Sequence, residues 1–243
     1  MPGLIQRCCL LAALVLPAAC ASYNNDIIDA ARQGDARSVT HALNNGVAIE
    51  TREVHGETPL LIAASLGNEA MARLLIDRGA AVNVVNKDRV TPLMYGASVG
   101  AVDIIRLLLS KGAALNAVSK EGMTPLLYAC LGNHEEAARL LLQNGAAINI
   151  PLHDDDTMLM YIAARGNTAI ARLLLNNGAA VNARNKYSNT ALMNACRSSD
   201  TAMVQLLLQY KADITIKDDN GDDALQHATR AGLKKDVIFR LRR

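Results

Sequence analysis

Tryptophan is absent from this 243-residue chain, and phenylalanine occurs once, at Phe239. With aromatics at only 3%, a large core of rings is excluded, and the abundant Ala and Leu point to thin, closely packed helices. No charge of one sign dominates: 25 Lys and Arg stand against 23 Asp and Glu, for a net of +2. That excludes the strong basic stripe by which nucleic-acid binders are recognised, so no nucleic acid is expected as partner. Disulfide frameworks are excluded as well. Cys8, Cys9 and Cys20 sit in the first twenty residues, which leaves only Cys130 and Cys196 in the body. Disorder is not expected at 51% hydrophobic and 20% charged residues.

Catalytic signatures are equally scarce. There is no Gly-rich phosphate loop and no serine nucleophile elbow, so neither a catalytic residue nor a cofactor is assigned and the chain is not expected to be an enzyme. His41, His55, His134, His153 and His227 do not recur at metal-ligand spacing. His153-Asp154-Asp155-Asp156 reads as a solvated loop tip. Asp218–Asp223 fails as a calcium loop, because placing Gly221 at the invariant glycine puts Ile216 and His227 at the end positions. No metal is assigned.

What is present begins with an address. A positive charge at Arg7, an apolar run Leu10–Leu16 and the small residues Ala18-Ala19-Cys20-Ala21-Ser22 have the layout of a signal peptide over residues 1–19. The run is too short to span a bilayer, and no later segment is apolar enough. Leu16-Pro17-Ala18-Ala19-Cys20 resembles the lipobox of bacterial lipoproteins, with Pro17 standing where that family usually has Leu. The resemblance implies lipidation of Cys20 and, since no Asp follows it, sorting to the outer membrane. Cleavage after Ala21 is the alternative. Either route exports the chain to the periplasm, and a lipid anchor would be its only membrane contact.

The body repeats. Thr58, Thr91, Thr124, Thr157 and Thr190 are spaced by 33 residues, as are Leu60, Leu93, Leu126, Leu159, Leu192 and Leu225. Gly46, Gly79, Gly112, Gly145 and Gly178 keep the same step. A fixed period of this length marks a solenoid. Thr is a favourable N-cap and the Pro after it, at Pro59, Pro92 and Pro125, is tolerated at the first helical position. A second helix carries Arg73-Leu74-Leu75-Ile76 and its equivalents. An extended segment then leads to the next Thr-Pro.

These residues, Gly56-Glu57-Thr58-Pro59-Leu60 through Gly79-Ala80-Ala81-Val82-Asn83, resemble an ankyrin repeat. The resemblance implies an all-α ankyrin solenoid of helix-turn-helix units joined by hairpin loops. Its units are an N-terminal cap at 23–55, repeats at 56–88, 89–121, 122–154, 155–187 and 188–220, and a C-terminal cap at 221–243. It also implies a non-catalytic scaffold, monomeric when free, that binds another protein. An immunity or inhibitor protein neutralising an exported toxic effector such as a lipase is an alternative within the same class, as is a chaperone-like helper of a periplasmic enzyme. The family's histidine after Thr-Pro-Leu is replaced by Leu61, Met94, Leu127, Met160, Met193 and Gln226. Apolar packing is therefore expected to tie repeats together. Asn133 and Lys211 stand at glycine slots, where Lys211 predicts a weaker helix end.

In ankyrin proteins the recognition surface lies at the hairpin tips and on the exposed side of the first helices. By slot, the resemblance implies Lys87, Asp88, Arg89, Lys120, Glu121, Asp154, Asp155, Lys186, Tyr187, Asp218 and Asp219 as binding residues. Tyr95, Tyr128 and Tyr161 occupy one slot in three successive repeats and are candidates either for binding or for packing between first helices. Cys130 and Cys196 share a slot two repeats apart, on the order of 20 Å at ordinary helix spacing. Both are expected to be buried, free thiols.

Overall fold

The computed structural model describes residues 27–233. The leader with Cys20, and Phe239 with the terminal Arg240–Arg243, lie outside the described residues. The described chain is helical, with an isolated bridge between Lys217 and Asp223. Short first helices, Pro59–Ser65, Pro92–Ser98, Pro125–Leu131, Met158–Arg165, Ala191–Arg197 and Ala224–Arg230, recur one per repeat. Longer second helices run over Ala36–Asn44, Glu69–Asp77, Val102–Ser110, Glu135–Gln143, Thr168–Asn176 and Thr201–Gln209. Residues 27–33, also helical, precede them.

The local chemistry explains each start. The Thr58 hydroxyl accepts the backbone N–H of Leu61, and Thr91, Thr124, Thr157 and Thr190 do the same for the residue three positions on. Each bond satisfies a donor that a helix N-terminus leaves orphaned. The slot that lacks histidine contributes here as well. Met94 Sδ accepts the Thr91 N–H at 3.4 Å and Met160 Sδ that of Thr157 at 3.4 Å, while Gln226 Oε1 accepts from Asp223 at 2.6 Å. These close capping boxes within single repeats.

The chain forms two compact units, one ending at Ala114 and one beginning at Leu115. In the first, helix Pro59–Ser65 packs on Pro92–Ser98 and Glu69–Asp77 on Val102–Ser110, burying Leu60, Leu75, Leu93 and Leu108. In the second, first helices pack on first helices and second on second in the same way, burying Leu126, Leu141, Leu159, Leu174, Leu192 and Leu207. Each such leucine contributes about 1.5–3 kcal/mol through removal of its side chain from water.

Apolar packing is not the whole tie between repeats, which corrects the expectation drawn from the missing histidine. In the first unit Glu50 Oε1 accepts the N–H of Ala81 and Asn83 Oδ1 that of Ala114, each at 2.7 Å, while Asn83 Nδ2 donates to Gly112 O at 3.1 Å. In the second unit Asn116, Asn149 and Asn182 receive the N–H groups of Ala147, Ala180 and Asp213 at 2.9, 3.0 and 2.7 Å. Asn149 and Asn182, like Asn83, also donate, to Gly178 O and Lys211 O, so each of these side chains satisfies two backbone groups of the next repeat.

Asn133 and Lys211 adopt the left-handed conformation at φ 60° and 61°. So do Arg89, Asp155 and Ser188 at the hairpin slot occupied elsewhere by Gly56, Gly122 and Gly221. Non-glycine residues bear a steric cost of about 1–2 kcal/mol in that region.

Candidate protein-binding surface

Four hairpins are organised by a side chain in one buried or half-buried slot, which in the 152–156 hairpin is taken by Leu152. Asn86 Oδ1 accepts the N–H groups of Asp88 and Val90, both at 2.9 Å, and Asn185 Oδ1 those of Tyr187 and Asn189 at 3.0 and 2.9 Å. Ser119 Oγ accepts from Met123 at 3.2 Å. Asp218 Oδ1 accepts from Asn220 and Asp222 at 2.9 and 3.0 Å. The turn thereby forms without a long strand, because the side chain replaces ladder hydrogen bonds.

Asp218 therefore has to be removed from the expected contact residues. It is buried at 8% exposure, and its second carboxylate oxygen lies 2.9 Å from His227 Nε2. Burial alone would raise its pKa, but the N–H of Asp222, the His227 ring and the N–H of Asn220 together hold it below the ordinary carboxylate value. Asp218, Asp222 and His227 bring ligand atoms within 4.8 Å of one another. Protein donors already engage them, since Arg230 grips both oxygens of Asp222.

Lys87, Asp88, Arg89, Lys120, Glu121, Asp155, Lys186, Tyr187 and Asp219 are exposed, as the hairpin-tip reading requires. Asp154 is half-buried and pairs with Lys186, whose ammonium holds its carboxyl below the usual range. The same ammonium lies 4.8 Å from the centre of the Tyr187 ring, and Tyr187 is 49% exposed. An aromatic face and its cation are thus presented together at one tip.

The tyrosine slot does not behave uniformly. Tyr95, Tyr128 and Tyr161 are all half-buried. Tyr95 is turned inward: its hydroxyl donates to Glu57 Oε1 at 2.7 Å and accepts from Asn86 Nδ2 at 3.2 Å. The Tyr161 hydroxyl makes no hydrogen bond among the described residues. In the next repeat the slot holds Asn194, whose Nδ2 donates to Met160 O at 3.3 Å.

Arg165 and Arg197, exposed at the ends of their first helices, were not singled out from the sequence. Arg197 Nη2 donates to Asn189 Oδ1 at 2.7 Å and to Asn194 Oδ1 at 3.1 Å. The signal available in the sequence was the eight-residue spacing from hairpin to helix, shared by Asn189 with Arg197 and by Asp222 with Arg230. Cys130 and Cys196 are buried and free, and burial pushes each thiol up to about 12, which keeps them protonated and inert.

Repeat length, threonine caps and hairpins agree with comparison against known proteins. The family model for ankyrin repeats (3 copies) matches residues 27–119, 78–151, 114–185 and 159–241. This chain belongs to the ankyrin-repeat family. Among solved structures, the ankyrin repeat domain of Bcl-3, a unique member of the IkappaB protein family, is 25% identical with a TM-score of 0.79, over 90% of this chain and 98% of that one. The human ASB11 ankyrin repeat domain is likewise 25% identical at TM-score 0.79, over 88% of this chain and 96% of that one. A search of curated proteins returns no match. The ankyrin architecture is an interaction scaffold, typically without catalysis.

Proposed function

We propose that this ankyrin-repeat protein is exported to the periplasm, held at the periplasmic face of the outer membrane through a lipidated Cys20, and acts there as a non-catalytic protein-binding scaffold. The observation that carries the binding half is the set of exposed hairpin-tip residues, Lys87, Asp88, Arg89, Lys120, Glu121, Asp155, Lys186, Tyr187 and Asp219. The leader composition carries the export half. Exported immunity or helper proteins are special cases of this scaffold, separated by whether the neighbouring gene encodes an exported effector.

Crosslinking with mass spectrometry on the native protein in cell envelopes tests the binding reading. A partner crosslinked through tip residues at constant stoichiometry is expected; recovery of the chain alone would count against it. For the tether, Cys20→Ser should move the protein from the membrane to the soluble periplasmic fraction and abolish fatty-acid labelling.

A further inference from the structure

The first-helix side of the second unit holds one cation in an unusual way. In the last repeat, Asp222 grips Arg230 from eight residues away, so charge is cancelled on the spot. One repeat earlier the same positions are Asn189 and Arg197. The amide oxygens of Asn189 and Asn194 orient the guanidinium as a carboxylate would, at 2.7 and 3.1 Å, yet contribute no negative charge. No carboxylate lies within salt-bridge distance of Arg197 among the described residues. Both internal bonds use Nη2, leaving the Nη1 and Nε donors of an exposed side chain available. An arginine held in place by neutral acceptors is preorganised to donate from Nη1 or Nε to an anion and has little freedom left to lose on binding.

We propose that Arg197 receives a carboxylate side chain, Asp or Glu, from an acidic segment of the partner protein, a deepening that rests on the scaffold reading above. Arg165, exposed in the neighbouring repeat and without an ion pair among the described residues, adds a second positive charge to the face. Tyr161 contributes a half-buried ring whose hydroxyl is unused. Arg and Tyr are the residue types in which binding energy concentrates. One uncompensated charge with single donors left on Nη1 and Nε matches a monoanionic carboxylate; a dianionic phosphate would call for a denser cluster of donors.

The test uses the exported, purified full-length protein and a fluorescein-labelled hexaglutamate peptide at low ionic strength, with hexalysine as control. Saturable binding of hexaglutamate and not of hexalysine is expected. Asn189→Asp would recreate the Asp222–Arg230 arrangement and should weaken binding about tenfold with the circular dichroism spectrum unchanged, as should Arg197→Ala; about tenfold is the scale of one lost charge-assisted contact. Arg230→Ala should leave it unaltered. Absence of saturable binding, indifference to Asn189→Asp and Arg197→Ala, or stronger competition by inorganic phosphate than by glutarate would each overturn the proposal. If crosslinking still recovers a partner while hexaglutamate fails, the scaffold reading stands and only this assignment falls.

Discussion

The hairpin at 86–90 in the first unit and the one at 185–189 in the second share one construction and end in opposite surfaces. Each is nucleated by an asparagine that accepts two backbone N–H groups, and each asparagine donates to an acid 29 residues earlier: Asn86 to Glu57 and Asn185 to Asp156, both at 2.7 Å. The next slots differ. Val90 closes the first hairpin with a buried apolar side chain, and Tyr95 turns its hydroxyl onto Glu57. Asn189 closes the second, Asn194 replaces the tyrosine, and together they hold the exposed Arg197. The helix-end slot follows the same contrast, with exposed Leu66 and Val99 in the first unit and Arg165 in the second. Framework and face are therefore separable: backbone-directed side chains stay the same while neighbouring slots turn from inward to outward chemistry.

The largest effects belong to what the two regions share. Leu75→Ala and Leu174→Ala, both at 0% exposure, should each destabilise by about 2–5 kcal/mol in urea unfolding. Hydrogen exchange should then rise most in the mutated unit, because repeat proteins couple mainly to nearest neighbours. If both variants loosened the whole chain equally, the division into two units would fail.

The inward face is broken next. Tyr95→Phe removes one of two donors to Glu57 Oε1, while Glu57 Oε2 already lies buried without a partner. A loss of about 1–2 kcal/mol is expected. Asn194→Ala in the same slot of the second unit should cost under about 1 kcal/mol, since its partners are exposed or carbonyl groups already bonded in the helix. Equal costs would show that both slots are structural.

Smaller effects sharpen the framework. Lys211→Gly relieves a left-handed residue where Gly178 serves the preceding repeat, and a gain of up to about 1 kcal/mol should appear as a raised Tm. The pH response separates the last hairpin from its neighbour. Asp218 is held below its unfolded value of 3.8, so its contribution is present above that pH and is lost as pH falls through the lower folded value. Asn185, in the same slot, does not titrate. Asp218→Asn should keep the turn and remove this acid-dependent loss of stability below pH 3.8, measured by acid titration of the helical signal.

Much of this was legible in the letters because certain side chains act on the backbone within three or four residues. Thr58 before Pro59, the leucines of the second helix and Lys211 in place of glycine all behave as their local chemistry requires. The hairpin tips were legible by resemblance, with the exception of Asp218. Its one-letter environment, Asp-Asp-Asn-Gly, looks like any solvated loop, but its position in the turn directs it to the N–H groups of residues 220 and 222 and to His227, nine residues away. The histidine slot misled for a related reason: its absence was visible, whereas the replacing ties at Asn83, Asn149 and Asn182 join groups 29 and 31 residues apart.

The sequence by itself determined the period, the helix starts and stops, the absence of catalytic signatures and the burial of the leucines, since caps, turns and apolar patterning are local or periodic properties. Only the tertiary structure decided which of several similar polar residues face inward. Tyr95 and Tyr161 occupy one slot, as do Asn189 and Asp222, and composition does not distinguish their roles. Whether a hydroxyl finds Glu57, or a guanidinium finds an amide in place of an acid, depends on side chains from different parts of the chain arriving within hydrogen-bond distance.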